Sequence, residues 1–192
     1  MSFYFRPFPK VSYDLKKNNL PLQLTNITAR YKIRDILKHN LAIYFEYTIQ
    51  DSDRPDLMAF KYYDDETLDW VIFLVNDIID PYYDWPLTQD AFQKYMISLY
   101  GGVSDAQGTV YEYRKILTKQ KVLNDGTVIP KRYVVVDLNT YSGLSISDRE
   151  EIDAYQYYEE ENDAKRNIKI LDRRYINIVK KEVENIFASN SG

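Results

Sequence analysis

The chain has 192 residues, 45% of them hydrophobic and 28% charged, with a net charge of −4 at pH 7. That balance belongs to a folded chain, not a disordered one, and a mildly acidic protein lacks the basic stripe of a general nucleic-acid binder. There is no cysteine, which excludes disulfides, thiol nucleophiles and Cys-ligated zinc and favours the cytosol over a disulfide-stapled secreted setting.

The compositional excess is tyrosine, with 19 residues. Tyrosine joins a large apolar ring to a polar tip at low entropic cost, which suits surfaces that are half core and half interface. The excess therefore reads as an interface-heavy protein, with core and strand filling as the plainer alternative.

Residues 1–24 read as an extended arm. Phe3, Phe5 and Phe8 alternate with Arg6, Pro7 and Pro9, and proline fits neither a helix interior nor a central strand. The three rings need a surface, on this chain or on a neighbour. The start has no long apolar core, so secretion by a leader peptide is not expected. Thr25 or Asn26 is placed to cap a helix through Tyr31, Ile33, Ile36 and Leu37. The lone His39 reads as a polar residue near that helix's C-terminus.

The run "LAIYFEYTI", 41–49, is β-branched and aromatic and predicts a strand. Asp51, Ser52 or Asp53 then caps a helix with Pro55 in its first turn, and Met58, Ala59 and Tyr62 share a face. Asp64 suits a left-handed turn position. A second helix from Glu66 to Val75 is apolar around most of its circumference, so it should be buried on more than one side. Asn76 and Asp77 end it, and Pro81 follows. The whole stretch is too short and too interrupted to span a bilayer, which needs roughly 20 apolar residues in a row; no membrane is expected.

A helix over 88–100 should stop at Gly101–Gly102. Residues 110–136 read as β-structure with Asp125–Gly126 as a hairpin turn. Ser147-x-x-Glu150 has the form of a capping box and predicts a long charged helix through "DREEIDAYQYYEEENDAKR". "NIKIL" follows as a short strand. Asp172 caps a last amphipathic helix with Ile176, Val179, Val183, Ile186 and Phe187 inward, and 188–192 form a frayed tail.

The carboxylates cluster at Asp64/Asp65/Glu66 and at Glu159/Glu160/Glu161. The first cluster sits at a helix start, where it offsets the dipole. The second points to different helix faces and reads as a solvated surface, not as a convergent acid–base pair. Calcium-loop, nucleophile-elbow, P-loop and dinucleotide patterns are missing. No catalytic, cofactor or metal site is expected, and the chain reads as a non-enzyme.

From Tyr47 the order of strand, polar turn, helix, "YY", turn, helix, Asn and "DP" resembles a LysM module, a compact βααβ unit. It is carried by "YTIQDSDRPDLMAFKYY" and "LDWVIFLVNDIIDP". The resemblance makes Tyr63, Leu68, Trp70, Asn76, Asp80 and Pro81 structural positions. Trp70 would be a core anchor, and Asn76 would tie the second helix's end to the next turn. The first loop carries Arg54 and Pro55, and no glycine follows "DWP", so the last strand is expected to be short or missing and glycan binding is not expected. The aromatic loop of Tyr82, Tyr83 and Trp85 is then free to face protein.

Over most of its length the chain resembles the baseplate wedge proteins of T-even-like contractile-tailed phages. The phenylalanine-rich start, "NDIIDPYYDWPLT", "EEENDAKRNIKIL" and "YINIVKKEVENIF" carry that likeness. It implies a structural virion protein, an inter-wedge clamp joining neighbouring wedges around the hub. Its partners would be other baseplate wedge proteins and the sheath-initiator protein, and its location the virion tail baseplate, after assembly in the host cytoplasm. The alternatives are a LysM-type peptidoglycan-binding module and, third, a glycan hydrolase carrying such a module.

The expected fold is α+β. It comprises an N-terminal arm and helix (1–40), a LysM-like βααβ core (41–88), a helix and β-hairpin connector (89–146) and a helix–strand–helix region (147–192). Protein-interface candidates are Phe3, Phe5, Phe8, Tyr82, Tyr83 and Trp85.

Overall fold

A computed structural model describes residues 8–15, 17, 20–29, 31–32 and 41–189. It is mixed α and β, as expected, and divides into two compact units, residues 1–86 with 165–192 and residues 87–164.

Unit one opens with a two-stranded hairpin of β1 (Lys10–Tyr13) and β2 (Leu22–Thr25), paired antiparallel with Val11 opposite Leu24 and Tyr13 opposite Leu22. Thr25 ends that strand, and the Asn26 carboxamide accepts the Thr28 N–H at 3.1 Å. The sequence assigned these two residues to a helix cap; here they belong to a strand end and a side-chain-locked turn. Most of the helix assigned after them, His39 included, lies outside the described residues.

A 3₁₀ turn, Leu41–Ile43, leads into β3 (Tyr44–Thr48). Two short helices follow, α1 (Pro55–Tyr63) and α2 (Asp69–Val75), the second preceded by a 3₁₀ turn at Glu66–Leu68. The N-cap of α1 is Arg54, with no side-chain cap bond. Asp53 is engaged elsewhere, accepting from the Gln50 N–H at 2.7 Å and the Tyr47 hydroxyl at 2.8 Å. That bond pushes the Tyr47 pKa up to about 12. Asp64 takes the left-handed position, φ 56°, and Asp65 caps the 3₁₀ turn through the Thr67 N–H, as their types suggest. A one-turn helix, α3 (Pro81–Asp84), closes this stretch.

Unit two begins with α4 (Gln89–Tyr100), capped by Thr88 and stopped by Gly101 at φ 86°. A short helix, α5 (Val103–Gln107), leads to the nine-residue strand β4 (Val110–Thr118). The β5 (Lys121–Val122) and β6 (Val128–Ile129) ribbon turns through Asp125–Gly126, where Gly126 has φ 84°. β7 (Arg132–Val136), helix α6 (Leu138–Ser142) and β8 (Arg149–Asp153) follow. The sheet order is β7-β4-β8, antiparallel throughout.

The expected helix start at Ser147 is a correction. Arg149–Asp153 is strand, and α7 runs from Ala154 to Ala164. The capping box is Asp153-x-x-Gln156: the Asp153 carboxylate accepts from the Gln156 N–H at 2.9 Å and the Gln156 side chain accepts from the Asp153 N–H at 3.5 Å. In "REEID" only Ile152 is buried, so the strand left little apolar periodicity to read.

The chain then returns to unit one. β9 (Asn167–Leu171) pairs antiparallel with β3, Tyr47 opposite Ile168 and Phe45 opposite Ile170. Further backbone bonds flank the ladder, from the Ile49 N–H to Arg166 at 2.9 Å and from the Asp172 N–H to Ile43 at 2.8 Å. After a 3₁₀ turn capped by Asp172, α8 (Ile176–Ser189) lays Ile176, Val179, Val183 and Phe187 into the core. That core also holds Met58, Ala59, Tyr63, Leu68, Trp70, Val71, Ile72, Val75, Ile168, Ile170 and Leu171.

No described helix is long and apolar enough to cross a membrane.

Candidate functional site

Unit one contains a βααβ order, β3-α1-α2-β9, whose last strand arrives only after residues 87–164. A last strand was expected to be short or missing after "DWP"; β9 supplies a five-residue partner for β3 from much later in the chain. Asn76 makes the closure. Its Nδ2 donates to the Lys169 carbonyl and to the Ile72 carbonyl, both at 2.8 Å, and its Oδ1 accepts from the Lys169 N–H at 2.7 Å. One amide thus satisfies the free end of α2 and both backbone groups of a β9 residue on the side away from β3.

The other structural positions divide by burial. Tyr63, Leu68 and Trp70 are buried beside Val71 and Ile72, and burial raises the pKa of the Tyr63 hydroxyl. Asp80 and Pro81 open α3: the Asp80 carboxylate accepts from the Tyr82 N–H at 3.0 Å, and proline occupies a first-turn position where no N–H is needed.

The interface candidates occupy three environments. Phe3 and Phe5 lie outside the described residues. Phe8 finds its surface on this chain, buried with its ring 4.8 Å from that of Phe187 and edge-on to Tyr31. Trp85 is half-buried, edge-to-face with Phe73.

Tyr82 and Tyr83 stand out from α3 at 81% and 69% exposure, their rings edge-to-face at 5.1 Å. Their backbone is held although their rings are free. The Asp84 carboxylate accepts from the Ile79 and Asp80 N–H groups, each at 3.0 Å, and Lys165 donates to the Tyr83 carbonyl at 2.8 Å. These two backbone bonds, more than Lys165, hold the Asp84 pKa below the ordinary carboxylate value.

A second exposed surface was not foreseen. On the β1–β2 hairpin, directly opposed residues share a face, so Val11, Leu24, Tyr13 and Leu22 form one apolar side, all exposed. Leu15 and Leu20, 64% and 70% exposed, extend it toward the turn. The opposite side is polar, with Lys10, Thr25, Ser12 and Gln23. The alternation of "KVSYDL" and "LPLQLT" carries this signal, interrupted by the prolines around it. Unit one also has a shallow cleft of about 290 Å³ lined by Tyr31, Phe73, Leu74 and Ile78.

The carboxylates do not converge for catalysis. Asp64 pairs with Arg173, and Asp65 caps its own turn. Glu160 was expected on a solvated face, yet it bonds the buried Arg114 at 2.7 Å. The described residues contain no cluster of metal-ligating side chains.

Two comparisons bear on this arrangement. Residues 2–120 match the family described as base plate wedge protein 53. The chain is also 29% identical to baseplate wedge protein gp53 of Enterobacteria phage T4 over a 198-residue alignment, covering 98% of this chain and 96% of that protein. With well over half its length inside the family's pattern, the chain belongs to the base plate wedge protein 53 family.

Proposed function

We propose that this structural subunit of a phage tail baseplate acts as a clamp between adjacent wedges around the hub. The observation that carries the reading is the pair of outward-facing tyrosines, Tyr82 and Tyr83, on a turn whose backbone is held by Asp84 and Lys165. The amphipathic β1–β2 hairpin supports it, because a lone two-stranded ribbon is marginal in water and gains stability when its apolar face is covered. Wedge proteins of the same and neighbouring wedges and the sheath-initiator protein are the proposed partners. The host cytoplasm is the proposed site of assembly, and the role is non-catalytic.

In domain terms, 1–40 is the arm and 41–88 the LysM-like βααβ core, completed by β9 from the 147–192 region. Residues 89–146 make most of the connector. The β3-α1-α2-β9 order and the Asn76 closure support the LysM likeness of the fold, and no observation favours sugar binding.

The test is reconstitution of baseplates from co-expressed components with and without this chain. Single wedges should form in both cases and join into closed rings only when it is present. Closed rings in its absence would overturn the clamp reading.

A further inference from the structure

Charge is divided unevenly within unit two. Its part before β4 and after β8, residues 87–109 and 154–164, carries six Asp and Glu against one Lys, a net −5. Its part from β4 to β8, 110–153, carries seven against seven Lys and Arg, a net of zero. The first part also holds five of the 19 tyrosines.

Four tyrosine rings meet around Tyr158, three from the helices and Tyr111 from β4. Tyr157 lies 5.4 Å from it, Tyr111 5.6 Å, Tyr95 5.9 Å and Tyr100 6.4 Å. Tyr111 and Tyr157 stack face to face at 4.0 Å. Tyr95 and Tyr111 are exposed, and Tyr100, Tyr157 and Tyr158 are half-buried, so the cluster is a surface and not a core. Burial and the neighbouring phenols push the Tyr111 pKa up to about 12.

The carboxylates beside it are under-neutralised. Lys94 is taken by Asp90, and Arg114 by Glu112 and Glu160. Glu161 lies one turn beyond Tyr157 and Tyr158 on the same side of α7. Glu159 lies on the far side of α7 from Glu161 and takes no part in this surface. Among the described residues no cation pairs with Glu161.

Aromatic faces beside an unpaired carboxylate suit one side chain. A guanidinium stacks on tyrosine rings and bonds carboxylates in the same pose, which an ammonium does less well. We propose that the tyrosine cluster around Tyr158, flanked by Glu161, is a docking surface for an arginine-bearing basic segment of another baseplate component. It rests on the family assignment and is independent of the tyrosines on α3.

The experiment is fluorescence anisotropy of labelled oligo-arginine with the full chain. Saturable binding is expected, weakened roughly tenfold in Glu161→Gln and in Tyr111→Ala, the scale of a lost cation–π or charge contact. Tyr111→Phe keeps the ring and should bind nearly as the parent does, and an unchanged circular-dichroism spectrum of Tyr111→Ala separates ring loss from misfolding. Oligo-lysine of equal length should bind several-fold more weakly. The charge-matched variants Glu66→Gln and Glu151→Gln, and Tyr82→Ala/Tyr83→Ala, should leave binding unchanged. Equal binding of oligo-lysine, an equal loss in a charge-matched variant, or full binding by Tyr111→Ala and Glu161→Gln would each overturn the proposal.

Discussion

In unit one the Asn76 carboxamide takes both backbone groups of Lys169, 93 residues away. In unit two the Asn162 carboxamide takes both backbone groups of Leu87, 75 residues away, with Leu87 N–H to Oδ1 at 2.7 Å and Nδ2 to the Leu87 carbonyl at 3.0 Å. Each unit is thus closed by one asparagine acting as a strand neighbour for a distant residue. What surrounds the two closures differs. Around Asn76 lies a broad apolar core drawn from β9, α1, α2 and α8. Unit two buries Phe92, Met96 and Ala106, rims them with Leu87, Tyr100, Tyr155 and Tyr158, and also buries an arginine. The first unit is held mainly by apolar burial, and the second leans on polar satisfaction and ring edges, terms that depend more on geometry.

The largest effect should come from the apolar side of that contrast. Trp70→Ala empties a buried aromatic site in α2, where the parent side chain is 7% exposed. A loss of ~3–5 kcal/mol is expected by urea denaturation. A change under about 1 kcal/mol, as at exposed positions, would show that α2 does not anchor the core.

Arg114 is the matching position in unit two. Its side chain is 1% exposed, 2.5 Å from Glu112 and 2.7 Å from Glu160, with its guanidinium over the Tyr133 ring at 4.0 Å. Burial works against its charge, and the two glutamates outweigh that and hold the proton. Arg114→Ala strands Glu112, itself largely buried, and should cost about 3 kcal/mol. Arg114→Met with Glu112→Gln removes the charges together and should recover much of the loss. Equal destabilisation in the single and double variants would show that the arginine's stem, not its charge, is what matters.

The two asparagines come next. Asn76→Ala and Asn162→Ala each leave backbone groups without their partner, at a cost of about 2 kcal/mol. Asn→Asp at either site should be at least as damaging, since a carboxylate cannot donate to the Lys169 or Leu87 carbonyl. Hydrogen exchange would localise each loss: at Lys169 for Asn76, and at Leu87 for Asn162. A loss spread evenly over both units would contradict independent closures.

The two asparagines also show how far the sequence could be read. Asn76 was legible because it ends an apolar helix just before a DP step, in a pattern with a known shape. Asn162 has the same role, but it sits in "EEENDA", where a charge run hides one buried amide. Arg114 was invisible for a related reason: a single arginine in a β-strand looks solvated until Glu160 arrives from a helix 46 residues later. Local signals did well where they were strong, as at Thr88, Gly101 and Asp125–Gly126. They failed at Ser147, where a capping box in form lost to the pairing of β8 with β4. That β9 would complete the β3 ladder was not legible either, since "NIKIL" gives a strand but not its partner.

The smallest effect on stability should come from the exposed tyrosines, and it separates presentation from packing. Tyr82→Ala/Tyr83→Ala removes rings that touch mainly each other and solvent, so the melting transition should move by no more than about 0.5 kcal/mol equivalent. Incorporation into assembled wedges should fall steeply, since interface energy concentrates in a few such anchors. Asp84→Asn tests whether the turn must be fixed as well. The Asp84 pKa is lowered below 3.8 by the Asp80 and Ile79 N–H groups, so its contribution is present at neutral pH and is lost only as pH falls through the folded-state value, below 3.8. Exchange at the Ile79 and Asp80 amides should therefore stay slow down to that window in the parent and be faster at pH 7 in Asp84→Asn. If Asp84→Asn loosens those amides and also lowers incorporation with both tyrosines intact, the wedge contact requires the rings in a preset position. If incorporation is unchanged, the rings alone suffice and the tied turn serves only the fold of unit one.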